Sequence, residues 1–186
     1  MSRPLLKSIF LIFLLGIFAS FINGCQTHGN LGNMTPNITD PGARVINKSV
    51  RVVRGSGGIN TRWPNWYENL SDADLEAALF AGLKNSGIFS AVTREGETDL
   101  DVSAIILSQR SVQDNSRLET RNTLKVGYIF VDRKSGKAIW RETIETEFGS
   151  RALLAHTRYR EACEGGAHEN LSAFIKALSE NWPETL

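Results

Sequence analysis

Residues 124–140, LKVGYIFVDRKSGKAIW, contain two β-strands and the turn between them. In the first half every second residue is large and apolar, and these side chains share one face: Leu124, Val126, Tyr128 and Phe130. A period of two predicts a strand with one buried and one solvated face. The turn Asp132–Gly136 leads into a second alternating segment, Ile139–Phe148, so the two strands are predicted to be antiparallel neighbours.

Two amphipathic helices accompany these strands. The first follows Ser71, which has the character of an N-cap, carries an apolar stripe with helical spacing, and ends at Ser86-Gly87. The second runs from about Thr157 to Glu180. The pair Gly165-Gly166 in its middle predicts close packing against the sheet or a kink.

Shorter patterns complete the predicted sheet. An alternating segment starts at Leu100, and short apolar runs occur at Val50–Val53 and Ile88–Thr93. The element order predicts an α+β fold: a single two-layer domain with a mostly antiparallel sheet of four to five strands and two helices packed on one face. The polar segment Ser108–Asn122 is interpreted as a solvated hairpin end, with a partner surface as the alternative.

The first 24 residues have the pattern of a secretory signal peptide, with a positively charged head followed by the apolar run Ile9–Ile22. This run is shorter than the ~20 residues of a membrane-spanning helix. The sequence Ile22-Asn23-Gly24-Cys25 resembles the lipobox of bacterial lipoproteins, which implies that Cys25 becomes the acylated first residue of the mature protein. Gln26 then implies delivery to the outer membrane. The alternative is an ordinary cleaved signal peptide with an incidental cysteine.

The remaining chain is predicted to have two parts. Residues 25–47 are interpreted as the acylated cysteine and a flexible tether, because they are rich in Gly, Asn, Thr and Pro and show no hydrophobic period. A segment that folds against a partner is the alternative. Residues 48–186 are predicted to form a periplasmic α/β domain.

Charge and cysteine content argue against several classes of function. The chain has a formal net charge of +1, and the predicted signal peptide contains basic but no acidic residues, so the mature chain is close to neutral. Nucleic-acid binding calls for a clustered basic surface, so no nucleic-acid partner is expected. Cys163 falls on the apolar stripe of the last helix, which favours a buried, inert thiol over a nucleophile.

The motifs of common catalytic and metal sites are incomplete in this sequence, so we predict no enzyme activity, no cofactor and no metal site. The helical pair Glu164 and His168 is interpreted as a surface pair rather than a metal site. His168-Glu169 begins a zinc-protease signature, but Ser172 stands where its second histidine belongs. Gly55–Gly58 lacks the lysine and the helix of a phosphate loop, which favours a turn or bulge.

Four residues between the glycine-rich segment and the first helix form the candidate partner-binding site: Arg62, Trp63, Trp66 and Tyr67. Aromatic side chains together with arginine are typical of interaction hot spots. The alternative is a lid over an open sheet edge or helix end, since tryptophan is more often buried than exposed.

Several segments together resemble a group of bacterial envelope lipoproteins: Ser86–Phe89, Asp99–Val102, and Val126–Asp132 with Ser135–Trp140. The group includes the curli-secretion lipoprotein, the N-terminal domain of the Tol-system propeller protein and the lipoprotein activators of peptidoglycan synthases. The resemblance covers about residues 75–178 and rests on core and turn residues. It implies a domain that binds proteins and helps to build or regulate assemblies without catalysis.

The predicted function is that of a lipid-anchored protein at the periplasmic face of the outer membrane. It acts as a non-catalytic assembly, stabilising or regulatory factor through protein–protein contacts. Its expected partners are the membrane, through Cys25, and another envelope protein. The alternative is a carrier whose sheet and helices open a groove for a lipid or a small apolar ligand.

Overall fold

The computed structural model describes residues 30–37, 45–58, 70–114 and 116–183. These residues form three helices and five strands: α1 (Leu31–Met34), β1 (Ile46–Val52), α2 (Asp72–Ser86), β2 (Phe89–Thr93), β3 (Leu100–Asp114), β4 (Glu119–Asp132), β5 (Ala138–Ser150) and α3 (Ala155–Asn181). Helices α2 and α3 pack on a single five-stranded sheet, which confirms the predicted α+β fold.

The sheet is mixed, with the strand order β2-β1-β3-β4-β5. Strands β3, β4 and β5 pair antiparallel, as the alternation predicts. Strand β1 is instead parallel to both of its neighbours, β2 and β3. The chain passes from β1 to β2 through α2, and a helical crossover returns the next strand parallel to the first. The sheet is therefore mostly, but not wholly, antiparallel.

An aromatic cluster joins α3 to the middle of the sheet. Phe174 stacks on Tyr128 with 3.9 Å between the ring centroids, and Trp182 meets Phe130 edge-on at 5.1 Å. Tyr128, Phe130 and Phe174 are fully buried. Burial of such a side chain stabilises the fold by about 1.5–3 kcal/mol. The apolar face of residues 124–130 is therefore part of the core, as predicted.

The glycine pair of α3 lies directly against side chains of the sheet. A Cβ atom at Gly165 would overlap the ring of Phe148, and one at Gly166 would lie 2.9 Å from Oδ1 of Asn122. The prediction of close packing is confirmed.

Local capping signals set the ends of α2 and of the β4–β5 turn. The Ser71 hydroxyl oxygen accepts a hydrogen bond from the Asp74 N–H at 3.1 Å, and Gly87 has a left-handed φ of 65°. In the turn, the Asp132 carboxylate accepts hydrogen bonds from the hydroxyl and the N–H of Ser135, each at 2.7 Å. These bonds lower the pKa of Asp132.

The polar segment Ser108–Asn122, interpreted from sequence as a hairpin end, is mostly strand. It forms the outer parts of β3 and β4, and among its described residues only 116–118 are a turn. Cross-strand pairs such as Val112 with Arg121 and Asp114 with Glu119 continue the ladder to its tip. Backbone hydrogen bonds hold these arms together whatever their side chains are.

Residues 30–37, predicted to belong to a flexible tether, pack on the domain instead. The short helix α1 contacts both α2 and α3, and Met34 is buried in the core. Pro36 fits against the backbone of Gly82 in α2. Among the helices of the described residues, none is long and apolar enough to cross a membrane.

Candidate functional site

Five site residues predicted from sequence lie outside the described part of the chain: Cys25, Arg62, Trp63, Trp66 and Tyr67. The acylation of the first and the partner contacts of the other four therefore remain predictions. The other four lie between Gly58 and Leu70, both of which the structure describes. We call residues 59–69 the aromatic segment.

The residues on either side of the aromatic segment, Gly58 and Leu70, are hydrogen-bonded to the same part of the domain. Gly58 donates its N–H to Oδ1 of Asp72 at 2.6 Å, at the start of α2. Leu70 donates its N–H to Oε1 of Gln109 at 2.8 Å, on β3. Because Leu70 and Asp72 are only two residues apart, the two ends lie close together. The aromatic segment thus leaves and re-enters the described part of the domain at one place, beside the N-terminus of α2.

The glycine-rich residues before this segment lie against β3. Ser56 forms a parallel bridge with Ile105, and Gly57 has a φ of 92°, which favours glycine. A Cβ atom at Gly57 would overlap the carbonyl oxygen of Ile106. Close backbone approach to a strand therefore explains these glycines, and the interpretation of a turn or bulge fits this irregular stretch better than a phosphate loop.

Gln109 links Leu70, the residue that follows the aromatic segment, to α3. Its Nε2 donates to Sγ of Cys163 at 3.3 Å, while its Oε1 holds Leu70. Asn122 on β4 donates from Nδ2 to the same sulfur at 3.6 Å and to the hydroxyl oxygen of Ser111 at 2.9 Å. The predicted burial of Cys163 is confirmed. The thiol serves as a hydrogen-bond acceptor between sheet and helix.

A second polar contact lies deeper under α3. Asn170 is fully buried, and its Oδ1 accepts a hydrogen bond from the Tyr128 hydroxyl at 2.8 Å. Its Nδ2 donates to the carbonyl oxygens of Ile144 at 3.0 Å and Leu124 at 3.2 Å. Burial raises the pKa of Tyr128, so the phenol stays protonated and can donate this bond. The amide therefore fixes α3 over β4 and β5.

Glu164 is not the surface residue that the sequence predicts. It is buried, and its carboxylate accepts hydrogen bonds from the Asn30 N–H and from Nδ2 of Asn33, both at 2.7 Å. Arg160 lies 3.8 Å from the same carboxylate. His168 lies instead 3.8 Å from Glu169. The predicted surface pair of Glu164 and His168 is wrong, because the carboxylate anchors α1 on the domain.

A groove of about 650 Å³ runs between the end of β5 and α3. Its lining includes the ionisable side chains Arg151, Glu161, Glu164, His168 and Glu169. Binding sites for apolar ligands are lined mainly by apolar and aromatic side chains. This groove is therefore a poor match for the lipid of the carrier alternative.

The sheet face opposite the helices is charged around a small apolar centre. Arg51 pairs with Asp101 at 2.9 Å, and Lys125 pairs with Glu145 at 3.0 Å. Leu107 is exposed and covers the backbone of Gly127. Charged side chains of this kind along the edge strand β5 disfavour the addition of a strand from another chain.

Few side chains of the described residues are grouped in a way that would suit metal binding or catalysis. No group of three or more His, Cys, Asp or Glu side chains within 30–37, 45–58, 70–114 and 116–183 could hold a metal ion. Two polar residues that sequence reasoning missed, half-buried Gln109 and buried Asn170, bind other parts of the domain. Asn170 lies directly before Leu171 on the apolar face of α3. A polar residue on an apolar helical face is a sequence signal for a buried side chain that hydrogen-bonds within the domain.

Comparisons with known proteins give similarities of fold only. No protein-family model and no curated protein matches the chain. Protein XCC0632 from Xanthomonas campestris, of the family DUF330, has 15% sequence identity and a TM-score of 0.59, covering 78% of this chain and 90% of that one. Protein CT253 from Chlamydia trachomatis has 14% identity and a TM-score of 0.52, covering 74% and 98% of the respective chains.

A minor lipoprotein from Acinetobacter baumannii has 16% identity and a TM-score of 0.49, covering 74% of this chain and 94% of that one. The Xanthomonas and Chlamydia proteins show that the fold is shared with bacterial proteins of very different sequence. The resemblance to the curli-secretion, Tol and peptidoglycan-synthase groups is not confirmed and stays a prediction.

Proposed function

We propose that this protein is a lipid-anchored envelope protein that acts as an assembly, stabilising or regulatory factor through protein–protein contacts, without catalysis of its own. The anchor is the acylated Cys25, and the location is the periplasmic face of the outer membrane. The support for the anchor is the lipobox-like sequence before Cys25 and the nature of Gln26.

The observation that carries the docking part is the attachment of the aromatic segment. The residues that flank it, Gly58 and Leu70, are hydrogen-bonded to Asp72 and Gln109 of the two-layer domain. Segments held on such a scaffold are the usual carriers of binding residues. Arg62, Trp63 and Trp66 are of the residue types that dominate interface energies.

The described polar side chains support the non-catalytic part. Glu164, Asn122 and Asn170 hydrogen-bond to backbone and side-chain groups of neighbouring elements. Each hydrogen bond of the two amides stabilises the domain by about 0.5–1.5 kcal/mol. Their roles are explained by packing, and no reaction is needed to account for them.

Photo-crosslinking in the intact envelope tests this proposal. A photoreactive residue replaces Trp66 in the full-length protein, and a matched control carries it at Glu180, which is exposed near the end of α3. The proposal predicts a discrete protein adduct at 66 that is missing at 180. It further predicts that Arg62→Ala weakens this adduct. Equal labelling at both positions, or lipid adducts alone at 66, would contradict it.

A further inference from the structure

One end of the domain exposes leucine side chains on two adjacent connections. Leu118 lies in the β3–β4 turn and is 50% exposed, and Leu153 and Leu154 lie between β5 and α3 and are 82% and 57% exposed. The connections are neighbours, because Thr120 pairs with Ser150 where β4 begins and β5 ends. We call the surface formed by residues 116–119 and 150–154 the hairpin end.

The β5–α3 connection is held in place although its leucines are exposed. Buried Arg158 donates from Nη1 to the carbonyl oxygens of Ala152 and Leu153 at 2.9 Å and 3.0 Å. The Ser150 hydroxyl donates to Glu161 at 2.6 Å. A buried guanidinium is costly unless it is hydrogen-bonded, so these bonds resist rearrangement. The leucines are therefore presented to solvent by a fixed backbone, and adjacent exposed leucines mark a contact surface.

The attachment of Asn30 limits which surface can approach a membrane. Its N–H is bonded to Glu164 on α3, and Cys25 precedes it by five residues. Five residues span at most about 17 Å. The hairpin end at Leu154 is about 15 Å from Glu164 along the helix, at 1.5 Å per residue. The other end of α3, at Asn181, is about 26 Å away and out of reach.

The course of residues 30–37 favours the same end. Asn30 lies at Glu164, and Pro36 lies against Gly82, which also neighbours Ile175 further along α3. The segment thus runs away from the hairpin end, and Asn30 is its described residue nearest to that end. A chain anchored at Cys25 therefore joins the domain on the hairpin-end side.

We propose that the hairpin end lies in the head-group region of the bilayer that holds the Cys25 lipid, with Leu118, Leu153 and Leu154 at the acyl-chain boundary. The inference rests on the acylation of Cys25 in the proposed function. Amphipathic surfaces at a bilayer bury their apolar side about 5–10 Å into the boundary between head groups and acyl chains.

Two arginine side chains beside the leucines suit such a surface. The side chains of Arg117 and Arg151 are 68% and 73% exposed, and their ion pairs with Asp114 and Glu119 are long, at 3.6 Å each. Guanidinium groups donate two parallel hydrogen bonds to phosphates, which lipid head groups provide. Leucines that enter the bilayer and arginines that bind its phosphates give the domain one preferred orientation.

Fluorescence quenching of the full-length acylated protein tests this orientation. An environment-sensitive probe is attached at Leu153→Cys, and a matched probe at Val45→Cys. Val45 is an equally apolar, 69% exposed residue before β1, at the opposite end of the sheet, since Val50 pairs with Leu100 where β3 begins. Protein without a substitution, labelled in parallel, measures any reaction at buried Cys163. The vesicles contain phosphatidylethanolamine and phosphatidylglycerol with brominated acyl chains.

The proposal predicts a blue shift and strong bromine quenching at position 153, and neither at position 45. A probe at Leu118→Cys should behave as at 153, and Leu154→Ser should weaken quenching at 118. Equal quenching at 153 and 45, or none at 153, would overturn the orientation.

Mass spectrometry of the N-terminal peptide tests the acylation of Cys25 independently of the orientation. An acylated Cys25 with an unquenched probe at 153 refutes only the orientation. An unmodified Cys25 overturns the proposed anchor and, with it, this inference.

Discussion

Asn170→Ala should be among the most destabilising single substitutions in α3. The side chain makes hydrogen bonds to Tyr128, Leu124 and Ile144, and all of these lie in the buried interface with the sheet. Net losses of about 1 kcal/mol per bond, with the added penalty for an unpaired buried hydroxyl, give a decrease of roughly 3 kcal/mol in the free energy of unfolding. This is a large share of the ~5–15 kcal/mol that stabilises a typical domain.

Urea unfolding of the mature chain, followed by circular dichroism, measures this effect. Asn181→Ala, at the exposed end of α3, is the matched control and should change stability by less than about 0.5 kcal/mol. In a Tyr128→Phe background the cost of Asn170→Ala should fall by about 1 kcal/mol, because no hydroxyl is left unpaired. A loss below about 1 kcal/mol for Asn170→Ala, or additive effects with Tyr128→Phe, would refute the role assigned to this amide.

Three further substitutions test other contacts of the domain. Gly165→Ala should lower the urea midpoint, because overlap with Phe148 outweighs the ~1 kcal/mol of helix propensity that alanine adds. Adding Phe148→Leu should restore part of the loss, and an unchanged midpoint in Gly165→Ala would contradict the close approach. Glu164→Ala should speed hydrogen exchange in α1 with little change in α2, since α1 loses its carboxylate partner; unchanged exchange in α1 would argue against this anchor. Hydrogen bonds from the N–H and hydroxyl of Ser49 lower the pKa of Asp99. The ionised carboxylate therefore stabilises the fold above its unfolded-state pKa of about 4, and this stabilisation is lost as the pH falls through the lower folded-state pKa. Asp99→Asn should reduce the dependence of the urea midpoint on pH in that acidic range, and an unaltered dependence would exclude the proposed hydrogen bonds.

Short-range sequence patterns are sufficient to predict most of the two-layer fold. Ser71 and Gly87 define α2, and the spacing of apolar residues from Leu124 to Phe130 identifies β4, because capping and alternation are short-range effects. The outer arms of β3 and β4 were missed for a long-range reason. Their side chains are polar, and a register shift between Ile106 and Ser108 interrupts the alternation. Only the pairing with the opposite strand makes them β-structure.

The contacts around the candidate site depend even more on tertiary structure. Glu164 binds Asn30 across 134 residues of sequence, so no local pattern marks either α1 or the burial of this carboxylate. Gln109 likewise acquires its role from Leu70 and Cys163, which only the fold brings together. The composition of the aromatic segment is readable from sequence, whereas its place of attachment is not.

Native mass spectrometry of the protein extracted from membranes tests the central claim most directly. The account predicts a stoichiometric complex with another envelope protein, and loss of that protein in Trp66→Ala while the acylated chain keeps its mass and its folded spectrum. A complex that survives Trp66→Ala unchanged, or a chain that carries only a bound lipid beyond its own acyl groups, would contradict docking through the aromatic segment.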